Sequence, residues 1–142
     1  MPASPAQEAW SLFWRIFQAD KPRRMAALGE LGLAFQQSMA LMRLEPGEAL
    51  TMSELAAGLM CDNSNVTGIV DRLEAAGLAE RRPDASDRRV KTVVLTRRGE
   101  EMRAAVQARA GEPPPEIAAL SEADAVALRD ILLRAVAPQA VV

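Results

Sequence analysis

The sequence predicts a mainly α chain that carries one small two-stranded β-wing, with helical segments on both sides of it. Three observations predict this. Apolar residues recur at helical spacing over most of the chain, from Trp10 to Ala135. One short run, Val90 to Leu95, is instead rich in β-branched residues and follows the polar turn formers Pro83 to Asp87. That hairpin and its flank also concentrate positive charge. Arg81, Arg82, Arg88, Arg89, Lys91, Arg97 and Arg98 stand against Asp84 and Asp87, in a 142-residue chain whose net charge is −2.

The elements follow in order. Ser4-Pro5-Ala6-Gln7 reads as a helix start, with a serine cap, proline at the first helical position and glutamine three residues after the cap. The helix runs to about Ala19, and Trp10, Phe13, Trp14 and Phe17 share one face of it. A second helix follows Pro22 and stops at Gly32, because glycine accepts the left-handed cap conformation. Phe35 to about Arg43 is a third, and Glu45-Pro46-Gly47-Glu48 is a turn. Thr51-Met52-Ser53-Glu54 is a capping box, backed by the stripe Met52, Leu55, Ala56 and Leu59.

After Met60-Cys61-Asp62 the next helix buries Val66, Ile69, Val70 and Leu73 and ends at Gly77. Two short helices around such a break form a helix-turn-helix pattern, although this break contains no glycine. Leu78 to Arg82 and Val90 to Leu95 are the wing strands. Helix resumes at about Arg97, breaks at Gly111-Glu112-Pro113-Pro114-Pro115, and returns after the cap Ser121-Glu122-Ala123-Asp124 with Leu128, Ile131, Leu132 and Ala135 on one face.

Composition narrows the function. Apolar residues make up 49% and charged residues 25%, which suits a soluble domain with a true core. No apolar run approaches the roughly 18 residues of a membrane span. Met1 to Glu8 lack the basic start and apolar centre of a secretory signal, and the single cysteine suits a reducing compartment, so the expected location is the cytoplasm. The chain has no histidine, hence no imidazole general base and no common metal ligand. An enzyme, a metal site and a cofactor are all unexpected.

The order helix, helix, arginine-rich wing, helix resembles the multiple-antibiotic-resistance regulator (MarR) family of winged-helix transcription factors. The residues that carry the resemblance are Ser53-Glu54-Leu55-Ala56, Ser64-Asn65-Val66-Thr67, Val70-Asp71-Arg72-Leu73-Glu74, Gly77-Leu78, Asp87-Arg88-Arg89, Leu95-Thr96 and Gly99. It implies a winged helix-turn-helix flanked by N- and C-terminal dimerisation helices: residues 1–33, then 34–96 for the DNA-binding domain, then 97–142. Within the middle segment, 52–60 is the first helix of the pair, 63–76 the recognition helix and 78–95 the wing. The family pattern also pairs an aspartate with the arginine two residues on, here Asp87 and Arg89. Where it often has a long polar or basic residue after the recognition-helix threonine, this chain has Gly68.

The candidate DNA-binding residues are Ser64, Asn65, Thr67, Gly68, Arg72, Arg81, Arg82, Asp87, Arg88, Arg89 and Lys91. Short hydrogen-bonding side chains near a helix N-terminus suit a major groove, and wing-tip arginines suit a narrow minor groove. Ser64 and Asn65 equally well start a helix, and Arg81, Arg82, Lys91, Arg97 and Arg98 either contact phosphates or balance charge. Trp10 and Phe13, with Leu128, Ile131 and Leu132, are dimer-interface candidates. Trp14, Phe17, Phe35 and Met39 are candidates for the wall of the effector pocket that the resemblance implies, one for small aromatic or lipophilic molecules. Cys61 is either a redox switch beside the recognition helix or a small apolar packing residue.

The reading is a homodimeric, sequence-specific regulator of double-stranded DNA at a pseudo-palindromic operator, a repressor released by a small-molecule effector. A winged-helix protein-interaction module and a redox regulator acting through Cys61 are the alternatives.

Overall fold

A computed structural model describes residues 1–61 and 63–138, the Asn63 side chain excepted. Asp62, which the sequence places in the turn before the recognition helix, and residues 139–142 of the C-terminal segment lie outside the described residues. The chain forms two units: residues 21–112, and residues 1–20 together with the segment that begins at Pro113.

The larger unit runs α2 (Lys21–Glu30), α3 (Phe35–Arg43), β1 (Leu50–Thr51), α4 (Met52–Leu59), α5 (Asn63–Ala75), β2 (Ala79–Pro83), β3 (Lys91–Leu95) and α6 (Arg97–Ala110), after α1 (Pro5–Ala19) of the other unit. Helix α2 begins one residue ahead of Pro22 and ends at Glu30. Gly32 then takes φ 73°, and Leu33 N donates to Leu28 O at 3.0 Å, the left-handed closure expected of glycine after a helix. Gly77 closes α5 in the same way, at φ 73° with Leu78 N donating to Leu73 O at 2.9 Å. The third closure, at α4, is unusual: Met60 takes φ 52°, ψ 41°, and Cys61 N donates to Ala56 O at 3.1 Å. A methionine thus does a glycine's work, which is why that break showed no turn signal.

The sheet has three strands, in the order β1-β3-β2, where the sequence predicts two. Leu50 and Thr51 pair with Val93 and Thr92, while Ala79 to Pro83 pair with Leu95 to Lys91. Two residues cannot display a period-two pattern, so β1 leaves no local signature. Val90, predicted to start β3, instead closes the wing turn: its N donates to Asp87 O at 3.0 Å and its O accepts from Asp84 N at 2.8 Å.

The core is built from the predicted stripes. Leu41 and Leu44, Leu55 of α4, and Val66, Val70 and Leu73 of α5 meet Leu78 and Val93 with almost no exposure. Helix α6 adds Val106, and Arg109 pairs with Glu30 of α2 at 3.1 Å. Arg103 reaches from α6 to the C-terminal end of α3, donating to Met42 O at 3.4 Å and Glu45 Oε1 at 3.0 Å.

The second unit holds α1, α7 (Pro115–Ala118) and α8 (Glu122–Val136). The short α7 sits inside the stretch expected only to break helix. Both long helices start at the predicted caps: Ser4 and Gln7 bond reciprocally at 2.8 and 3.2 Å, and Ser121 Oγ accepts from Asp124 N at 3.1 Å. No residue of α1, α7 or α8 is buried. Trp10, Phe13, Trp14 and Phe17 stack in a ladder along α1, with ring centroids 5.5–6.4 Å apart. Leu128 and Leu132 line an apolar groove of about 340 Å³ with Ile117, Leu133 and Val136, and Ile131 is exposed beside it.

Candidate nucleic-acid interface

Helix α5 separates two chemistries. Val66, Ile69, Val70 and Leu73 face the core, so Ser64, Asn65, Thr67, Asp71 and Arg72 must face solvent, and they are exposed. The first turn carries the hydrogen-bonding side chains, close to the helix end whose backbone N–H groups favour phosphate. Gly68 lies one turn after Ser64 on that face, and a Cβ built there meets nothing within 4 Å.

Helix α5 is held to the wing by Arg81 of β2. Its guanidinium donates to Asp71 Oδ1 at 2.7 Å, Glu74 Oε1 at 2.9 Å and Thr67 O at 3.4 Å, and its backbone N donates to Glu74 Oε1 at 3.1 Å. Burial opposes the charge, but the bonds to Asp71 and Glu74 outweigh it and raise the Arg81 pKa. Sequence reasoning named Arg81 as a phosphate contact or charge balance and missed this clamp. A signal for it exists, since Asp71 and Glu74 are three residues apart on one helix face, within reach of a cation on the following strand.

The wing tip is ordered by its own acids. Asp84 Oδ2 accepts from the Ser86 hydroxyl and from the backbone N of Ser86 and Asp87, both at 3.2 Å. The hydroxyl bond is the main reason its carboxyl lies below the usual carboxylate range. A depressed folded pKa means the turn keeps this support above the ordinary carboxylate pKa of about 3.9 and loses it only as pH falls through the lower folded value. Arg89 Nε and its backbone N both donate to Asp87 Oδ1, at 3.2 and 3.1 Å, forming the aspartate–arginine pair the family pattern implies.

Charge at the wing therefore divides into two sets. Arg81 is clamped, Arg82 pairs with Glu80, and Arg89 pairs with Asp87 while its side chain stays 92% exposed. Arg72, Arg88 and Lys91 are exposed and make no ion pair among the described residues. The backbone joint behind the wing is tight. Thr96 Oγ1 donates to Gly77 O at 2.6 Å and accepts from Gly99 N at 3.0 Å, and a Cβ on Gly99 would lie 1.8 Å from Leu78 O.

The remaining candidates lie elsewhere. Phe35 and Met39 are a turn apart on α3 and exposed, while Trp14 and Phe17 stack on α1. Cys61 is half-buried and packs against the core of the larger unit. Among the described residues no three His, Cys, Asp or Glu side chains group as a metal site, and no helix is long and apolar enough to cross a membrane.

Comparison with known proteins gives consistent likenesses. Residues 35–91 match the MarR family. YfiV of Bacillus subtilis, described as an uncharacterized HTH-type transcriptional regulator, is 30% identical over 94 residues, covering 66% of this chain and 59% of its own length. The aligned stretches span 37–59% of the lengths of the curated relatives matched. The crystal structure of YusO from Bacillus subtilis has a TM-score of 0.76 at 26% identity, covering 94% of this chain and 97% of that one. A mutant of MepR from S. aureus, bound to an oligodeoxyribonucleotide, shares the fold with a TM-score of 0.68 at 23% identity, covering 89% of this chain and 94% of that one.

Proposed function

Since this chain belongs to the MarR family of winged-helix transcription regulators, which are not enzymes, we propose that it works as a homodimer on double-stranded DNA. In this reading α5 enters the major groove through Ser64, Asn65 and Thr67, and the wing reaches the flanking minor groove through Arg88 and Arg89. The observation that carries it is the two-faced α5: one face sealed in the core, the other polar, exposed and flanked by Arg72, Arg88 and Lys91, which make no ion pair among the described residues. The oligodeoxyribonucleotide bound to the MepR mutant supports the same use of the fold.

Arg81 in this reading positions α5 rather than binding phosphate, because its donors are already engaged by Asp71, Glu74 and Thr67. The exposed stripes of α1 and α8 are the surfaces that a second copy covers, and two-fold symmetry then implies a pseudo-palindromic operator with half-sites about 10 bp apart or a multiple of that. We assign the protein to the cytoplasm and to repression relieved by a small aromatic or lipophilic effector, with Trp14, Phe17, Phe35 and Met39 as candidate contacts. Such relief requires the effector to bind two subunit arrangements with different affinity.

Duplexes enriched from a random pool, followed by gel shift with salt titration, test the reading. Arg89→Ala is expected to weaken binding tenfold or more with the dimer intact, and wild-type affinity is expected to fall steeply with salt. Unchanged affinity in the variant would remove the wing from the interface, and a salt-independent constant would contradict binding through phosphates.

A further inference from the structure

Gly68 stands in the interior of α5, half-buried on its polar side, one turn after Ser64 and one turn before the exposed Asp71 and Arg72. Glycine is the least favourable residue for a helix interior after proline, so its presence there needs a reason. The described residues supply none. The glycines with a left-handed backbone are Gly32, Gly47 and Gly77, so conformation does not demand glycine at position 68. Packing does not demand it either: a Cβ on Gly68 meets nothing within 4 Å, whereas one on Gly99 would strike Leu78 O at 1.8 Å.

What lies outside α5 must therefore explain the missing side chain, and this step rests on the DNA-binding reading above. A helix with its side chains is about 10–12 Å across and the major groove about 12 Å wide, so the fit leaves little clearance. The neighbours Ser64 and Thr67 carry short side chains that touch base edges only if the helix backbone comes close. Both facts ask for the same thing, a bare helix surface at the depth of the groove.

We propose that Gly68 is the point of closest approach between α5 and the base-pair edges of the major groove, a specificity-determining position that acts by having no side chain. It brings Ser64 and Thr67 within reach of the bases, and any Cβ at position 68 lifts the helix away from them.

The test is Gly68→Ala, which adds a single methyl. Thermal unfolding is measured together with affinity for two duplexes: one enriched from a random pool by the wild-type protein, and one of equal length and unrelated sequence. The expected result is opposite signs. The melting temperature rises by roughly a few degrees, since alanine favours helix. Affinity for the enriched duplex falls tenfold or more, and affinity for the unrelated duplex stays within twofold. Equal loss on both duplexes would put the contact on the phosphate backbone and overturn the assignment to base edges. Unchanged affinity for the enriched duplex would overturn the close approach and leave the DNA-binding reading standing. A lower melting temperature would make the glycine a folding requirement and remove the premise. Failure of the wild-type protein to enrich any duplex would overturn the DNA-binding reading and this proposal with it.

Discussion

The two units contain equally regular apolar stripes with opposite outcomes. In residues 21–112 the stripes close on one another, leaving Leu41, Leu44, Leu55, Val66, Val70, Leu73 and Val93 at 0% exposure. In the other unit α1 carries four stacked aromatics and α8 carries Ile131, Leu132 and Leu133, yet Trp10 remains 65% exposed and Leu133 58%. An amphipathic stripe reports that a helix is to be covered; it does not report by what. The winged unit has enough elements facing one centre to cover itself. The terminal helices do not, and exposed apolar surface of that kind marks an interaction surface.

The winged side of this contrast breaks most easily at Gly99. Gly99→Ala forces a methyl into the Leu78 carbonyl and is expected to cost roughly 3 kcal/mol or more, a large part of a typical domain's stability. Urea unfolding measures it, and a variant within about 1 kcal/mol of wild type would mean that the joint between wing and α6 yields. The open side is tested by Trp10→Ala, at the dimer interface proposed above. Loss of a central interface aromatic typically costs about 2 kcal/mol, so the dimer dissociation constant should rise roughly thirtyfold in sedimentation experiments. An unaltered dimer would leave the α1 stripe to some occupant other than a second copy.

Smaller effects sharpen the picture inside the winged unit. Arg81→Ala is expected to cost about 1 kcal/mol, because the ion pairs are partly exposed. It also uncovers the Asp71 carboxylate on the polar side of α5, the side proposed above to meet DNA. Adding Asp71→Asn should therefore recover part of the lost DNA affinity in a double-mutant cycle; no recovery would make Arg81 a phosphate contact. Met60→Gly relieves a left-handed methionine and should raise stability by at most about 1 kcal/mol, visible as a small shift of the urea midpoint. A clear loss would show that the exposed Met60 side chain has a contact of its own.

What was legible in the sequence was local. The caps at Ser4, Thr51 and Ser121, the buried face of α5 and the turn from Pro83 to Asp87 each depend on residues within one or two turns of each other. What was missed lay across longer separations, apart from one local turn. Strand β1 has only two residues and exists because Val93 and Thr92 pair with it. The left-handed turn at Met60 uses a residue type that gives no hint of positive φ. The sequence cited Gly99 only as part of a resemblance, and the contact that requires it, Leu78 O, is 21 positions away in the chain.

By itself, then, the sequence carried the resemblance to the MarR family, and it determined the order of the helices and the wing and which face of α5 stays polar, since these last follow from short-range periodicity, capping and charge. Only the tertiary structure decided which cations are available to a polyanion. Arg81 and Arg88 carry the same charge seven residues apart, but β2 lays Arg81 against Asp71 and Glu74 while the wing turn leaves Arg88 in solvent. Whether an arginine is a clamp or a candidate contact depends on what the fold brings within about 3 Å of it: the spacing of Asp71 and Glu74 offers acceptors, but only the packing of β2 on α5 selects which arginine reaches them.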